Sequence, residues 1–202
     1  MAGAMQEIWL DSPYGKVFGQ QTGPLAGPVV LGLHGWSQRN GWHTWQPLMQ
    51  PLAEVGCRVV CVDMPGWGQS RPGPGTPLTT AQAVTTVQAL LDSLQATTAV
   101  LLGKSWGGGV AITLALDDPG RVRKLILTAP AFRQPERLPQ VTQPVLLAWA
   151  EDDPVIPSAY AQIFAGALPH CQLVTYPAGG HSAAQKNAAD FAPKAVAFLR
   201  ES

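Results

Sequence analysis

The sequence predicts an α/β fold, with a mostly parallel β-sheet that is covered by helices on both faces. Short apolar runs, as at residues 29–33 and 145–150, are typical of strands that are buried on both sides. Segments with apolar residues at helical spacing, as at 79–94, alternate with these runs. Strands and helices that alternate in this way pair into a parallel sheet, because each helix carries the chain back across it.

The first half of the chain begins with a predicted hairpin. Residues 8–10 and 17–20 flank the turn signal at 11–15, and we expect them to form an antiparallel edge of the sheet. The elements that follow are a strand over 29–33, a helix over 45–55 and a strand over 58–63.

The second half carries the central strand and the elements after it. The helix over 79–94 has Thr79 or Thr80 as its cap, and the Pro/Gly-rich residues 71–77 before it form a loop rather than a domain linker. We expect one domain over residues 1–202. The remaining elements are strands over 99–102, 122–128, 145–150 and 172–176, and helices over 110–116, 158–167 and 188–200.

Composition limits the partners and the compartment. The 13 basic and 13 acidic residues balance, and without a basic run we expect no nucleic-acid partner and no membrane partner. No apolar run reaches the roughly 18 residues of a membrane span, and the N-terminus lacks a secretory signal, so a cytoplasmic location is expected. Cys57, Cys61 and Cys171 lie in apolar segments, which favours buried free thiols over disulfides or metal ligands.

The segment that points to chemistry is Gly103-Lys104-Ser105-Trp106-Gly107. It fits the pattern G-x-S-x-G, in which a sharp turn between a strand and a helix exposes a serine hydroxyl above the sheet. Glycines are needed there because side chains would block the close approach of the helix to the strand. The apolar strand before this turn and the helix after it predict that Ser105 is a nucleophile.

Other polar residues stand where predicted strands end, which is where functional groups gather in a parallel sheet. A serine hydroxyl needs a base to remove its proton, and the base needs a third group to orient it. His181 follows the last strand and is the expected base. Asp152 and Asp153 both follow the strand before it, and we assign the acid to Asp153, since it precedes a proline. Asp63 has a Pro-Gly-x-Gly context that indicates loop structure.

Four motifs in this order carry a resemblance to a known family: His34-Gly35, residues 63–70, the turn at Ser105, and Gly179-Gly180-His181. The chain resembles the α/β-hydrolase superfamily of the serine-nucleophile type. The resemblance implies an eight-stranded, mostly parallel sheet and no cofactor. It also implies a catalytic triad and a backbone oxyanion hole, whose members here are Ser105, Asp153 and His181 for the triad and Trp36 and Trp106 for the hole.

The connection at residues 129–144 is too short for the helical lid that many relatives insert there. The chain is therefore expected to have no lid domain. In its size and missing lid it looks most like the α/β-hydrolase domain-containing protein 14 group, for which deacetylase-type acyl chemistry has been proposed.

Several aromatic and basic residues have predicted places. Trp67 is expected to line the substrate pocket, as Trp36 and Trp106 do. His34 is expected to steady the oxyanion loop, and Lys104 either raises the local positive potential or points to solvent. We expect Trp9, Trp45 and Trp149 in the core, and His43 and His170 at the surface.

These observations predict a serine hydrolase that cleaves a small ester, thioester or amide through an acyl-enzyme. Its partner is a small-molecule acyl substrate, with no metal, and the oligomeric state stays open. Two alternatives remain. One is acyl transfer to an acceptor other than water, which needs the same triad. The other is a ligand receptor or binding module on a hydrolase scaffold.

Overall fold

A computed structural model describes residues 3–70 and 77–201. Most of the loop that we predicted over 71–77 therefore lies outside the described residues. The eight strands are β1 (Gln6–Leu10), β2 (Val17–Thr22), β3 (Val29–Leu33), β4 (Arg58–Val62), β5 (Ala99–Lys104), β6 (Val122–Thr128), β7 (Val145–Ala150) and β8 (Cys171–Tyr176).

These strands form one sheet in the order β1-β2-β4-β3-β5-β6-β7-β8. The hairpin strands β1 and β2 pair antiparallel to each other, and β2 pairs antiparallel to β4. All the other neighbouring strands pair in parallel. The predicted eight-stranded, mostly parallel sheet is confirmed.

Helices cover both faces of this sheet, as predicted. Side chains at alternating strand positions, such as Leu101 and Leu102, belong to two different cores. Helices α2, α3 and α4 pack on the first core, and α1, α5 and α6 pack on the second. The helices are α1 (Gln46–Glu54), α2 (Thr80–Ser93), α3 (Trp106–Asp117), α4 (Ala159–Ala167), α5 (Ala183–Lys186) and α6 (Ala188–Arg200).

The predicted cap of α2 and two of the three predicted core tryptophans are confirmed. Thr79 caps α2, and its hydroxyl accepts from the Gln82 backbone N–H while the Gln82 side chain accepts from the Thr79 backbone N–H. Trp45 and Trp149 are fully buried, but Trp9 is 49% exposed, so its assignment to the core was wrong. Trp9 lies on the edge strand β1, where its ring meets Phe18 in a T-shaped contact and about half of the residue faces solvent.

The three cysteines differ in burial. Cys57 and Cys61 are buried free thiols as expected, whereas Cys171 at the start of β8 is only half-buried.

No helix in the described ranges is both long and apolar enough to cross a bilayer.

The connection between β6 and β7 is short, and it confirms the expectation of a fold without a lid. Residues 129–144 contain one 3₁₀ helix, Pro135–Gln140, and no other helix or strand. The carboxyl edge of the sheet is therefore not covered by an inserted helical domain between these two strands.

Helix α3 approaches the sheet more closely than side chains would permit. A Cβ atom on Gly103 would lie 2.6 Å from the Cα atom of Gly108, and a Cβ on Gly108 would lie 2.7 Å from Cβ of Pro130. Real Cβ atoms essentially never come so close to other heavy atoms, and the first of these contacts is with backbone. Glycine is thus required where β5 turns into α3.

We expect Gly103→Ala to destabilise the protein by about 2 kcal/mol or more, because the added methyl group has no space. Gly166 is the matched control, since it lies inside α4 and a Cβ there meets nothing within 4 Å. Gly166→Ala should stabilise the protein by about 0.5–1 kcal/mol through helix propensity. Urea unfolding measures both changes, and equal effects of the two substitutions would contradict the packing argument.

Candidate active site

Ser105 occupies the sharp turn between β5 and α3. Its backbone angles, φ 51° and ψ −117°, lie in a region that non-glycine residues rarely adopt, so the surrounding structure must hold them there. The Ser105 N–H donates to Thr128 O at 2.9 Å, and its carbonyl accepts from Gly109 N at 3.0 Å and Ala131 N at 2.8 Å. These three hydrogen bonds fix the strained serine at the carboxyl edge of the sheet.

His34 joins the loop after β3 to two neighbouring segments. Its Nδ1 donates to Gly35 O at 2.7 Å, and its Nε2 accepts from Met64 N at 3.0 Å. Its carbonyl accepts from Gly107 N at 3.1 Å, which ties the loop to the first turn of α3. The side chain is completely buried, and burial lowers the pKa of His34 to about 4. A neutral imidazole therefore steadies this loop, as the sequence suggested.

The loop after β3 lies beside the serine. A Cβ atom on Gly35 would lie 3.5 Å from Ser105 Cβ. Trp106 is the first residue of α3, where backbone N–H groups have no partner inside the helix. Neither the Trp36 N–H nor the Trp106 N–H donates to any residue that the structure describes. Both donors are therefore without a described partner, as the predicted oxyanion hole requires.

Asp153 and His181 meet across the loops that follow β7 and β8. His181 Nδ1 donates to Asp153 Oδ2 at 2.8 Å, and the Asp153 side chain is fully buried. The other carboxylate oxygen accepts from the backbone N–H groups of Val155 at 2.8 Å and Ile156 at 3.1 Å. The proton on Nδ1 leaves Nε2 with its lone pair, which is the state that a general base requires.

Asp152 has a different partner. Its carboxylate accepts from the backbone N–H of Gly180 at 2.7 Å, and its side chain lies at the surface. The structure therefore brings Asp153, and not Asp152, to the imidazole. Asp152 instead holds the glycine turn that precedes His181.

The last link of the predicted triad is open in this structure. His181 Nε2 is buried and has no hydrogen-bond partner, and no hydrogen bond joins it to Ser105 Oγ within residues 3–70 and 77–201. Such catalytic hydrogen bonds are often long without substrate and shorten in the Michaelis complex. An unpartnered lone pair in a buried position is also what proton abstraction needs.

Three tryptophans, Trp36, Trp67 and Trp106, form a cluster beside Ser105. Trp67 stacks on Trp106 with ring centroids 5.0 Å apart, and its Nε1 donates to Trp36 O at 2.9 Å. Trp67 is only 1% exposed and does not line the groove described below, which differs from its expected place in the pocket. It instead supports the other two rings from behind, and Trp36 is 45% exposed.

Lys104 has a role that the sequence left open. It is nearly buried, and its Nζ donates to Asn40 Oδ1 at 3.2 Å in the loop after β3. Burial lowers the pKa of the Lys104 ammonium, the nearby Asp153 carboxylate opposes that shift, and Lys186 adds to it. Lys104 therefore does not point to solvent but ties the serine turn to this loop. This hydrogen bond depends on a partner 64 residues away, which no local pattern reveals.

Asp63 has a structural place, as its sequence context indicated. Its two carboxylate oxygens accept from the backbone N–H groups of Trp42 at 2.7 Å and Gln69 at 2.9 Å. Its backbone carbonyl accepts from Ser70 Oγ. His43 and His170 are exposed, as expected.

An open groove of about 810 Å³ has Ser105 in its lining. Trp36, Trp106 and Phe132 line it, together with residues of α2 and α3. Phe132 was not singled out from the sequence, because a single aromatic residue in a Pro-rich segment gives no signal of a binding site. The groove places a substrate-sized space directly against the nucleophile candidate.

Comparison with known families decides the relationship of this chain. A family profile described as "alpha/beta hydrolase fold" matches residues 28–138, more than half of the 202 residues. The chain belongs to the alpha/beta hydrolase fold family. A second profile, described as "TAP-like protein", matches residues 127–201. The closer resemblance to the α/β-hydrolase domain-containing protein 14 group stays a prediction.

Curated hydrolases match part of the chain. The 2-hydroxy-6-oxononadienedioate/2-hydroxy-6-oxononatrienedioate hydrolase of Cupriavidus pinatubonensis is 35% identical over 113 residues, which is 55% of this chain and 39% of that protein. The epoxide hydrolase of Caballeronia sordidicola is 35% identical over 99 residues, 48% of this chain and 30% of that protein. The chain thus matches well under half the length of each relative.

Solved structures of other hydrolases match nearly the whole chain. A predicted CIB-like hydrolase from Thermoplasma acidophilum has a TM-score of 0.90 and 25% identity, and the match covers 98% of both chains. The carboxylesterase CesB from Bacillus subtilis has a TM-score of 0.88 at 16% identity and covers 98% of this chain and 92% of its own. The second likeness concerns the fold alone.

The buried His34 predicts an acid-sensitive stability. Between pH 6.5 and about 4 the unfolded chain binds a proton at this position and the folded chain does not, so the free energy of unfolding falls as the pH is lowered. The loss attributable to His34 amounts to about 3 kcal/mol at full extent. Urea unfolding at pH 7 and pH 4.5 measures this difference.

The variant His34→Asn should be less stable at pH 7 but lose less stability between the two pH values. The control His170→Asn, at an exposed position, should lose as much as the wild type because His34 is still present. If His34→Asn lost as much unfolding free energy between pH 7 and pH 4.5 as the wild type, His34 would not be the source of the acid sensitivity.

Proposed function

We propose that this protein is a serine hydrolase that cleaves an ester, thioester or amide through an acyl-enzyme. The observation that carries the proposal is the buried 2.8 Å contact between His181 Nδ1 and Asp153 Oδ2. It leaves the lone pair of Nε2 without a partner at the same edge of the sheet where the strained Ser105 presents its hydroxyl.

The chemistry follows from this arrangement. His181 Nε2 takes the proton of Ser105 Oγ as the oxygen attacks the substrate carbonyl. The negative charge on the carbonyl oxygen is stabilised by the N–H groups of Trp36 and Trp106, which have no competing partner among the described residues. The imidazolium then gives its proton to the leaving group. Asp153 stabilises the imidazolium and keeps Nδ1 protonated.

The acyl group, now on Ser105, is released by water. His181 acts again as the base and removes a proton from that water, and the collapse of the second tetrahedral intermediate returns a proton to Ser105 Oγ. The relatives named above are hydrolases by name, which supports the general reaction class. Their own substrates do not transfer to this chain, because the matches cover so little of each relative.

The nucleophile is tested by covalent labelling with a fluorophosphonate probe. We expect the wild type to be labelled with time, and Ser105→Ala and His181→Ala to lose both labelling and the turnover of p-nitrophenyl acetate by at least about 10³-fold. Ser93→Ala is the control, since this exposed serine lies at the end of α2. A folded wild type that reacts with neither probe nor ester would contradict the proposal.

The acid is tested by exchanging each of the two adjacent carboxylates. Asp153→Asn should lower kcat by about 10³–10⁴-fold, because the amide favours the wrong tautomer of His181. Asp152→Asn should lower it much less, since the amide oxygen can still accept from Gly180 N. Steady-state kinetics on p-nitrophenyl acetate measure both variants, and a larger loss in Asp152→Asn would exchange the two roles.

A further inference from the structure

The groove at Ser105 follows one face of helix α3. The residues of α3 that line it are Trp106, Gly109, Val110, Thr113 and Asp117. Their positions, separated by three, one, three and four residues, form a single stripe along the helix. At 1.5 Å per residue the stripe from Trp106 to Asp117 is about 16 Å long. The groove therefore extends along α3 and is not confined to the surroundings of Ser105.

The opposite wall runs in the same direction. Ala131 N donates to Ser105 O at 2.8 Å, which places the start of this wall at the nucleophile. Arg137 contacts Asp117 at 3.3 Å and also donates to Gln134 Oε1 at 3.2 Å. The segment 131–134 thus extends from Ser105 towards the distal end of α3.

The chemical character of the groove changes along its length. Near Ser105 its walls are the aromatic rings of Trp36, Trp106 and Phe132. Farther along, the lining includes the side chains of Asp117, Arg133 and Gln134, which carry hydrogen-bonding groups. An occupant that matches both regions has an apolar body next to the reacting carbonyl and a polar group at its far end.

The position of the base shows which part of a substrate lies in the groove. The leaving group takes its proton from His181, so it must lie on the imidazole side of the serine. Within the described residues, His181 does not line the groove, whereas Ser105 does. The part that remains attached to Ser105, the acyl group, therefore lies along α3.

We propose that the groove binds an elongated acyl chain of about ten atoms or more with a polar group at its far end. This proposal rests on the proposed hydrolase function and names its substrate class. An extended chain advances roughly 3.3–3.6 Å for every three bonds, so an acyl chain of about nine bonds spans the roughly 10 Å between Trp106 and Thr113. Thr113 is half-buried in the wall at that point.

The experiment compares kcat/KM for p-nitrophenyl decanoate and p-nitrophenyl acetate in wild type and in Thr113→Trp. The measured quantity is the ratio of the two constants in one sample, from which any difference in the folded fraction cancels. We expect the decanoate-to-acetate ratio to fall at least tenfold in Thr113→Trp, because the indole obstructs the groove. Thr97→Trp is the control, since exposed Thr97 precedes β5 and so lies at the opposite edge of the sheet, and its ratio should stay within twofold of wild type.

Each outcome has a separate meaning. An unchanged ratio in Thr113→Trp, or an equal fall in Thr97→Trp, would overturn the acyl groove. In Thr113→Trp, kcat/KM for decyl acetate could fall tenfold relative to ethyl acetate while the decanoate-to-acetate ratio stays unchanged. That result would place the alcohol part of the ester in the groove and overturn the acyl assignment. Absence of turnover of every ester by the wild type would instead refute the hydrolase function itself.

The polar end is tested with the p-nitrophenyl ester of 14-hydroxytetradecanoic acid, whose chain of about fourteen bonds spans the roughly 16 Å from Trp106 to Asp117. A hydrogen bond from its hydroxyl to Asp117 or Gln134 should raise kcat/KM about threefold to tenfold over the tetradecanoate ester. Asp117→Leu should reduce that preference. A wild-type preference for the plain chain would overturn the polar-end assignment and leave a purely apolar groove.

Discussion

The active site depends on how closely helix α3 can approach strand β5. A side chain at Gly103 or Gly108 would collide with atoms that cannot move, so the turn between the two elements forms only with glycine there. The same turn forces Ser105 into its strained backbone conformation. Because α3 packs so closely on the sheet, Gly107 N can donate to His34 O. This hydrogen bond holds the loop with the proposed oxyanion donor beside Ser105. One steric constraint thus positions both the proposed nucleophile and the proposed oxyanion donors.

The fold and the serine could be predicted because their signals are local. A buried strand shows itself as a run of apolar residues, and the glycines around Ser105 stand within the same seven-residue stretch. His181 could also be found, since it directly follows the last strand and therefore lies at the edge where the serine lies. The chain order Ser…Asp…His, which is that of α/β-hydrolases, indicated that Ser105, Asp153 and His181 act together.

Other features could not be predicted, because they depend on contacts between distant residues. Asp153 was chosen over the adjacent Asp152 from the proline that follows it, but the two backbone N–H groups that hold its carboxylate inwards belong to a turn that the sequence does not reveal. Trp9 and Trp67 are the same residue type, yet the edge of the sheet exposes one and the stack on Trp106 buries the other. The partner of Lys104 lies in another loop.

The two halves of the proposed catalytic machinery do not share the same local stability. Ser105 follows β5, which has strand neighbours on both sides, whereas His181 follows β8, which pairs only with β7. Most side chains of β8 are also partly or fully exposed. Edge elements with few buried contacts open at a lower free-energy cost than the centre of a sheet. Fraying of this one strand would withdraw His181 from Ser105 while the remaining sheet stays folded, so the proposed activity would be lost at a lower temperature than the fold.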